Sequence, residues 1–463
     1  MPNRTALVTG ASGYVGAQLV PALLDAGWHV RVLARTPANL DSAWSGQVDV
    51  VTGDATNPDD VHTALAGVDA AYYLLHSMDG GGDYRTRDKE LATLFAREAH
   101  AAGVGRIVYL SGLHPDGELS THLASRVEVG EILLASGVPT AVLQAGVVLG
   151  AGSASFDMLR HLSERLPIAI GPKWLRNHIQ PIAVDDAVHF LVRAAELPPD
   201  VNRTIDIGMD ESLTYLEMMR RYAQVVGLPR RLLGTVEVLT PGLASHWVGL
   251  VTPVKAGIAR PLVGSLIHDA VKKDDAARSL LGDPPGGVMG FDDAVRRAAA
   301  DVDPKRWRRT VARVGAGVAA CAVAGSLLTD PNSRWFRGIR KPSWQPPPVA
   351  FPVVWTGLYG LIMVASASAI ADLEEEGKHA EAAAYGRALA VNLALNSTWS
   401  GLFFRAHNPP LAAAGAAVLA VSSVDLARRG GEAGGGKALA LGAYAAWCTF
   451  ATALSTEIAR LNR

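Results

Sequence analysis

Clusters of charge divide the last third of this chain into five uncharged stretches, and this pattern limits the fold more than any other feature. Only 22 of the 153 residues from 311 to 463 are Asp, Glu, Lys or Arg. The stretches hold 16, 30, 17, 19 and 19 residues, and a helix that crosses a bilayer needs about 20 predominantly apolar residues. The sequence therefore predicts five transmembrane helices, within Val314–Thr329, Pro342–Ala371, Ala388–Phe404, Ala406–Val424 and Ala438–Thr456.

Basic residues around these stretches indicate which side faces the cytoplasm. With the N-terminus inside, ten Lys or Arg residues fall on the cytoplasmic side and seven outside, in the direction that the positive-inside rule favours. The first strand begins almost at the N-terminus, with no apolar leader before it. We therefore expect a multi-pass protein of the plasma membrane with a cytoplasmic N-terminal domain.

Composition excludes two classes of protein. A net charge of -1 lacks the basic excess of a nucleic-acid-binding protein, so no nucleic-acid partner is expected. Cys321 and Cys448 both lie in apolar stretches, and two such cysteines cannot supply a disulfide framework. No metal site is predicted.

A glycine-rich turn follows the first predicted strand, Thr5–Thr9. The turn reads Gly10-Ala-Ser-Gly13-Tyr-Val-Gly16, and a helix through Leu24 and a second strand follow it. Glycines in this context bring backbone N–H groups against a pyrophosphate at a helix N-terminus. Further alternation of strands and helices predicts a doubly wound parallel sheet, the α/β Rossmann fold. The predicted strands are His29–Leu33, Val48–Thr52, Ala70–Leu75, Arg106–Leu110 and Thr140–Leu149, and the helices are Asp59–Leu65, Tyr84–Ala102 and His122–Ala135.

The residue after the second strand selects the cofactor. A carboxylate at this point would bind the ribose 2′-hydroxyl of NAD, whereas an arginine accommodates the 2′-phosphate of NADP. The sequence reads Val32-Leu-Ala-Arg35-Thr36. It therefore favours NADP(H) over NAD. The alternative is that Arg35 is only a solvated surface residue.

Residues 1 to about 300 resemble the short-chain dehydrogenase/reductase superfamily, in its extended and atypical NAD(P)H-binding branch, the NmrA-like proteins. The glycine-rich turn, Gly53-Asp54, Tyr109-Leu-Ser-Gly-Leu113 and His122-Leu-Ala-Ser-Arg126 carry the resemblance. It implies that Ser111 lies at the reacting centre. It also implies a cofactor site of Gly10, Ser12, Gly13, Tyr14, Val15, Gly16, Arg35, Asp54, Leu74, Leu75 and His76.

The catalytic helix departs from the family pattern. Where that pattern is Tyr-x-x-x-Lys, this chain has His122 and Arg126. An imidazole titrates near 6.5 and could relay a proton, whereas a guanidinium could hold a ribose hydroxyl but cannot be deprotonated. The catalytic set is then Ser111, His122 and Arg126. The alternative is a ligand-binding relic in which His122 and Arg126 form a solvated helix face.

A substrate lobe is expected over about 150–300. Its candidate pocket residues are Trp174, His178, Gln180, His246 and Trp247. The charge-free run Val238–Val254 is cut by prolines and suggests an apolar lid or a membrane-grazing surface. These features favour an oily substrate.

The C-terminal part resembles the TspO/MBR family of tryptophan-rich sensory proteins over nearly all of 311–463. Its motifs are Arg340-Lys-Pro-Ser-Trp-Gln-Pro-Pro347, Phe351-Pro-Val-Val-Trp355-Thr-Gly-Leu-Tyr359 and the run Asn392–Phe404. The resemblance implies a five-helix bundle that binds porphyrins, sterol-like or other hydrophobic ligands. Packing or an interface belt of aromatic residues is the alternative. The implied pocket residues are Trp344, Phe351, Trp355, Tyr359, Asn392, Asn396, Trp399, Phe403 and Trp447.

The predicted organisation is an NAD(P)-binding domain over 1–303, a basic juxtamembrane linker over 304–312 and a membrane domain over 313–463. Two functions follow. One is a membrane-tethered NADP(H)-dependent oxidoreductase whose bundle binds a hydrophobic or tetrapyrrole ligand. The other is a non-catalytic NADPH sensor that regulates the bundle. The expected partners are a hydrophobic small molecule and the lipid bilayer, and a homodimer through the bundle is left open.

Overall fold

The computed structural model describes residues 4–76, 84–115, 117, 119–236, 252–253, 262–264 and 266–463. The chain forms two compact units, and after residue 262 the boundary between them falls between Val302 and Asp303.

The first unit is built on a parallel sheet of seven strands, in the order β11-β6-β5-β4-β1-β2-β3. The short, β-branched runs of the sequence form its central strands, which are almost fully buried. The predicted doubly wound sheet is confirmed. The strands are β1 Thr5–Thr9, β2 His29–Ala34, β3 Asp49–Thr52, β4 Ala70–Tyr73, β5 Arg106–Gly112, β6 Thr140–Ala145 and β11 Arg203–Ile207.

Helices cover both faces of this sheet. On one face α1 and α6 pack through Leu19, Val20 and Phe190. On the other face α2, α3 and α4 pack through residues that include Phe95 and Leu133. The helices are α1 Tyr14–Asp25, α2 Pro58–Leu65, α3 Tyr84–Ala101, α4 Thr121–Leu134, α5 Ala154–Arg165, α6 Val184–Ala194 and α7 Tyr215–Val225, and the short helices Ala276–Leu281 and Phe291–Ala298 follow.

The predicted strand Thr140–Leu149 is interrupted. Its first part ends at Ala145, because a Cβ on Gly146 would lie 2.2 Å from the carbonyl oxygen of Gln180, where another segment crosses. The chain then forms β7, Val148–Leu149, which pairs with β10, Ile182–Ala183, outside the main sheet. The predicted strand of ten residues is therefore wrong at Gly146 and Val147, and its last two residues pair outside the main sheet.

Two more strand pairs complete the described part of the lobe after residue 150. Strand β8, Ile168–Pro172, runs parallel to β13, Leu232–Val236. Strand β9, His178–Ile179, runs antiparallel to β12, Leu213–Thr214. A 3-10 turn, Lys173–Arg176, follows β8 directly.

The second unit is a bundle of five long helices. In chain order they are Arg306–Leu328, Ala350–Glu375, His379–Ser400, Pro409–Glu432 and Gly435–Leu461, and we call them the first to fifth bundle helices. The first bundle helix begins at Arg306, so most of the predicted linker 304–312 is helical.

Four of these helices are long and apolar enough to cross a membrane: the first, second, fourth and fifth. The third has 22 residues, but its sequence carries His379, Glu381, Arg387 and two asparagines. The sequence predicts five transmembrane helices, and among the described residues four helices are long and apolar enough to be such spans. A turn of π-helix, Gly401–Arg405, extends the third helix.

Candidate functional site

The glycine-rich turn between β1 and α1 lies where side chains would collide with the backbone. Gly10 has a φ of +73°, and a Cβ on it would lie 2.6 Å from the carbonyl oxygen of Leu74. A Cβ on Gly16 would lie 2.3 Å from the carbonyl oxygen of Gly10. The turn can therefore bring backbone N–H groups close to a pyrophosphate only because glycine occupies both positions.

The first turn of α1 presents N–H groups that no side chain caps. Its N-cap residue is Gly13, and Gly13 and the neighbouring Ser12 are exposed at the tip of the turn. A helix N-terminus carries a partial positive charge and unpaired N–H donors. This end of α1 therefore suits the phosphates of a dinucleotide.

Two predicted cofactor residues direct their side chains away from the turn. The hydroxyl of Tyr14 is buried, and a Cβ on Gly150 would lie 2.2 Å from it. Burial and the carboxylates of Asp185 and Asp157 raise the pKa of this phenol to about 12. Val15 packs against the apolar core. Tyr14 and Val15 can therefore contribute to cofactor binding through their backbone rather than their side chains.

Arg35 and Asp54 follow two neighbouring strands at the carboxyl edge of the sheet. Arg35 comes directly after β2 and is exposed, and Asp54 comes two residues after β3. Oδ1 of Asp54 accepts the N–H and the hydroxyl of Thr56, each at 2.9 Å. These bonds, together with the Arg35 guanidinium, lower the pKa of the Asp54 carboxyl. An ionised acceptor and a cation therefore lie where the adenosine half of a dinucleotide binds in this fold.

A chain of three hydrogen-bonded side chains begins just after β4. Nδ1 of His76 lies 3.0 Å from Oδ2 of Asp88 on α3. Nε2 of His76 lies 3.3 Å from Nδ1 of His122 on α4, and the two rings are 4.8 Å apart. The hydroxyl of Ser125 also donates to Asp88, at 3.3 Å. We call Asp88, His76 and His122 the relay.

Burial disfavours the protonated form of both imidazoles in the relay. Burial, the Arg126 guanidinium and His76 lower the pKa of His122 to about 3. Burial also lowers the pKa of His76, against the opposing effect of Asp88. The expectation that His122 titrates near 6.5 is therefore wrong in this environment.

The hydrogen bonds of the relay have a defined direction when both imidazoles are neutral. When Asp88 is ionised, the Nδ1–H of His76 donates to it, and Nε2 of His76 is then an acceptor. His122 fills that acceptor with its own Nδ1–H. Nε2 of His122 therefore keeps a lone pair at neutral pH and can accept a proton.

Ser111 and Arg126 take part in different contacts. Ser111, at the end of β5, donates its hydroxyl to the carbonyl of Arg126 at 3.5 Å, and the Arg126 guanidinium donates to the carbonyl of Leu110. Both residues line a cleft of about 260 Å³. Nε of Arg126 is buried without a hydrogen-bond partner. These two hydrogen bonds, from Ser111 and Arg126, therefore go to backbone carbonyls and not to the side chains of the relay.

The substrate-lobe candidates have mixed placements. Gln180 is buried, its Nε2 donates to the Met209 carbonyl at 3.1 Å, and its Oε1 accepts the N–H of Lys272 at 2.5 Å. Gln180 therefore holds loops together. The exposed His178 lies 3.3 Å from the Ser212 hydroxyl, and Nε1 of Trp174 is buried without a partner. His246, Trp247 and almost all of Val238–Val254 lie outside the described residues.

Sequence reasoning missed Asp88. The buried residues of α3 are Asp88, Ala92, Phe95, Ala96 and Ala99, which recur at helical spacing. A carboxylate in line with an apolar stripe faces the interior of the protein. That spacing, combined with the rarity of an unpaired buried carboxylate, is the signal that could have found it.

In the bundle, the two predicted asparagines belong to a buried network of neutral groups. Nδ2 of Asn396 donates to the Tyr444 hydroxyl at 3.3 Å, and that hydroxyl donates to Oδ1 of Asn392 at 2.9 Å. Oδ1 of Asn396 accepts the Tyr359 hydroxyl at 3.1 Å, and Nδ2 of Asn392 donates to Ser423 at 3.1 Å. We call these five residues the amide network. It joins the second, third, fourth and fifth bundle helices.

The predicted aromatic residues of the bundle form separate groups. Trp399 stacks on Phe403 with 5.4 Å between ring centroids and 14° between planes. Nε1 of Trp399 is buried without a hydrogen-bond partner. Trp355 lies beside Tyr359, with 5.4 Å between centroids. The indole of Trp399 therefore offers an unused donor next to the turn of π-helix, a feature that often marks functional sites.

Phe450, which the sequence did not single out, connects the other predicted aromatics. Its ring centroid lies 5.9 Å from that of Trp344 and 5.2 Å from that of Trp447. Phe351 faces Trp447 at 6.1 Å. Phe351 and Phe450 also pack against the apolar cluster that contains Phe403. The fifth helix therefore connects two groups that the sequence treats as one pocket.

Two family models match the chain. Residues 10–143 match an NAD(P)H-binding family, and residues 314–461 match the TspO/MBR family. A tryptophan-rich sensory protein of Cereibacter sphaeroides is 32% identical over 148 residues, which are 31% of this chain and 88% of that protein. The bundle is therefore similar to a relative over most of that relative's length.

The first unit is similar to reductases. A ceramide reductase of Caulobacter vibrioides is 28% identical over 265 residues, 55% of this chain and 81% of that protein. The chain spans only 30%, 52% and 35% of the length of three further curated relatives. The crystal structure of Citrobacter sp. triphenylmethane reductase complexed with NADP(H) has a TM-score of 0.51, is 17% identical and covers 63% of this chain and 99% of its own. That likeness shows the fold.

The fold and the family matches agree for both units, and in the first unit the glycine turn agrees with them as well. The four apolar helices and the family match make this a membrane protein. The chain belongs to the TspO/MBR family through its second unit, and its first unit contains an NAD(P)H-binding domain with the Rossmann fold.

Proposed function

We propose that this protein is an NADP(H)-dependent oxidoreductase of a hydrophobic substrate, held at the plasma membrane by its bundle with the first unit in the cytoplasm. The observation that carries the proposal is the relay, because it connects His76, just after β4 at the carboxyl edge of the sheet, to the proton-accepting imidazole of His122 on α4. A solvated helix face would not bury His122 to 9% exposure or connect it to a buried carboxylate.

Arg35 supports NADP(H) rather than NAD. Its guanidinium is exposed directly after β2, and no carboxylate of the sequence stands at the adjacent positions to bind a ribose 2′-hydroxyl. The Asp54 carboxylate, held by Thr56, would accept from the adenine. The N–H groups of the first turn of α1 would hold the pyrophosphate.

The bound nicotinamide would supply or accept the hydride. In oxidation of an alcohol, Nε2 of His122 accepts the hydroxyl proton, its Nδ1–H passes to Nε2 of His76, and the Nδ1–H of His76 moves toward Asp88. In reduction of a carbonyl the same three steps run in reverse, and His122 delivers the proton to the new hydroxyl. Ser111 and Arg126, which line the neighbouring cleft, would orient the substrate or the ribose.

The substrate class follows from the membrane tether and from the similarity to a ceramide reductase. A hydrophobic alcohol or ketone partitions into the bilayer, and a tethered enzyme samples it there at high local concentration. The bundle would bind a hydrophobic or flat tetrapyrrole ligand through Trp399 and the other aromatics. A second copy of the chain could assemble through the bundle, and we expect no nucleic-acid partner.

Cofactor titration of the full chain in detergent tests this proposal. We expect NADPH to bind at least about tenfold more tightly than NADH, since a charge-assisted contact contributes about 1.5–3 kcal/mol. Arg35→Ala should remove this preference, and Arg97→Ala, at a similarly exposed arginine of α3, should keep it. Equal affinities for the two cofactors in the wild type would contradict the NADP(H) assignment.

A specific observation favours a second function, an NADPH sensor. The Arg126 guanidinium is engaged by the Leu110 carbonyl, where the family pattern has a lysine free to hold the ribose. In a sensor, NADPH would change the affinity of the bundle for protoporphyrin. Quenching of tryptophan emission measures this affinity, and Trp399→Ala should weaken the quenching. A sensor would not oxidise NADPH in the presence of a long-chain ketone. Oxidation of NADPH that depends on His122 would exclude the sensor.

A further inference from the structure

One face of the first unit exposes an unusual concentration of apolar side chains. Among the described residues of this unit, five large apolar side chains are exposed, and four of them belong to β8 and β13. Ile168 is 70% exposed, Ile170 64%, Leu232 59% and Val236 39%. The fifth, Val50, lies on β3 at the edge of the main sheet. Exposed apolar residues that cluster in this way mark an interaction surface.

Strand register places the four side chains on one side of the pair. Ile168 is opposite Leu232, and Ile170 is opposite Gly234, which adds no side chain to cover it. Residues two apart on a strand point to the same side. We call this side the β8–β13 face.

The other side of the strand pair is occupied by the unit itself. A Cβ on Gly171 would lie 2.4 Å from Cδ1 of Leu175, so the 3-10 turn folds back against that side. Arg220, on α7, donates to the carbonyl of Leu233 at 2.9 Å and holds β13 in place. The β8–β13 face is therefore held in a fixed geometry by these contacts.

Every charged residue within the two segments that contain β8 and β13 is a cation, and the first acid after β13 is Glu237. Residues 166–176 and 226–236 contain four Lys or Arg and no Asp or Glu. Lys173 and Arg176 follow β8, Arg230 precedes β13, and all three are exposed. Apolar side chains next to exposed cations are the combination that binds an anionic lipid surface, since the cations meet headgroups while the apolar residues enter the interface.

We propose that the β8–β13 face rests on the surface of the bilayer to which the bundle anchors this chain, with its cations on anionic lipid headgroups. The chain's own membrane unit supplies the bilayer, so even a weak surface contact is populated by high effective concentration. This inference needs no catalytic activity and is independent of the proposed function.

The test uses the full chain in lipid nanodiscs, labelled with a fluorophore at a single introduced cysteine. Cys321 and Cys448 are buried, and labelling of the unsubstituted chain measures their background. Ile170→Cys reports on the β8–β13 face, and Val50→Cys is the matched control. We expect spin-labelled lipids to quench the label at 170 and leave that at 50 unquenched, while aqueous iodide does the opposite.

Charge reversal gives the second arm. Removing one cation should lower the ratio of docked to undocked protein about fivefold on membranes with phosphatidylglycerol. Arg176→Glu and Arg230→Glu reverse the charge, so each should lower this ratio at least about fivefold and reduce lipid quenching at position 170. A membrane of phosphatidylcholine alone should also reduce it. Unchanged NADPH binding shows that each variant is folded.

Three results would overturn the proposal. A label at 170 open to iodide and unquenched by lipid would show a face exposed to water. A label shielded from both quenchers would show that another segment of the chain covers it. Shielding that appears only when two chains share a nanodisc would assign the face to a second copy.

Discussion

The two units bury polar side chains of different kinds. At the carboxyl edge of the sheet they are titratable, a carboxylate and two imidazoles joined over 3.0 and 3.3 Å. In the centre of the bundle they are amides and hydroxyls, with Asn392, Asn396 and Tyr444 joined over 2.9 and 3.3 Å. The bundle also buries the ion pair of Lys437 with Asp372, near helix ends.

The difference teaches what each group of residues can do. Titratable groups held in a low dielectric are costly unless paired, and they can take up or release a proton when a ligand arrives. Amides and hydroxyls stay neutral and exchange no proton, so their hydrogen bonds fix how helices pack against each other. The comparison therefore assigns chemistry to the relay and architecture to the amide network.

The largest expected effect is on turnover. His122→Phe and Asp88→Asn should each lower NADPH oxidation on a long-chain ketone by about 100-fold, because proton transfer by a positioned group contributes about that much. Glu90→Gln, at an exposed acid two residues from Asp88, is the matched control and should be unaffected. Undiminished turnover in His122→Phe would remove the relay from the mechanism.

The next effect is on stability at acid pH. The folded state holds the pKa of His122 at about 3, below the unfolded value near 6.5, so the unfolded state binds the extra proton between these values. Stability is therefore highest above pH 6.5 and falls as the pH drops toward 3. This group should account for a loss of about 2 kcal/mol between pH 7 and pH 5.

Urea titrations of the full chain in detergent at the two pH values measure this loss. His122→Phe should lose less stability than the wild type over the same interval. The control, His62→Phe, changes an imidazole that is 60% exposed and should retain the wild-type loss. Equal losses in all three proteins would mean that His122 is accessible to protons in the folded state.

These predictions depend on parts of the structure that differ in how far the sequence reveals them. The glycine turn, Arg35 and most strands follow local rules of spacing and propensity, so the sequence located them within one or two residues. The contact of Asp88 with His76 joins α3 to the loop after β4, and only the folded chain brings them together. The break at Gly146 likewise arises from the crossing segment at Gln180.

The bundle shows the same limit. Uncharged length located the helices, and the buried positions of Asn392 and Asn396 followed from the cost of amides in lipid. Their hydrogen-bond partners could not be predicted from the sequence. Tyr444 and Ser423 lie on other helices, and no spacing rule connects residues across helices whose order in space is unknown from the sequence.

The smallest expected effect lies in the amide network. Asn392→Leu removes the bonds to Tyr444, Ser422 and Ser423. Each hydrogen bond in a membrane bundle contributes about 0.6 kcal/mol, so the total loss should be about 2 kcal/mol. Steric trapping or unfolding in mixed detergents measures it. NADPH affinity should stay unchanged, and so should the pH dependence. A change in cofactor affinity would contradict the division of roles between relay and network.

The central claim, that both imidazoles of the relay are neutral and that Nε2 of His122 carries the lone pair that faces the proton to be transferred, is tested most directly by the ring nitrogens themselves. Nitrogen-15 spectra of histidine-labelled full chain, with His76 and His122 assigned by comparison with His76→Phe and His122→Phe, report each tautomer and its titration. We predict that His122 keeps its proton on Nδ1 and stays neutral from pH 8 down to pH 5, well above its pKa of about 3. A His122 resonance that titrates with a midpoint near pH 6.5 would contradict the account.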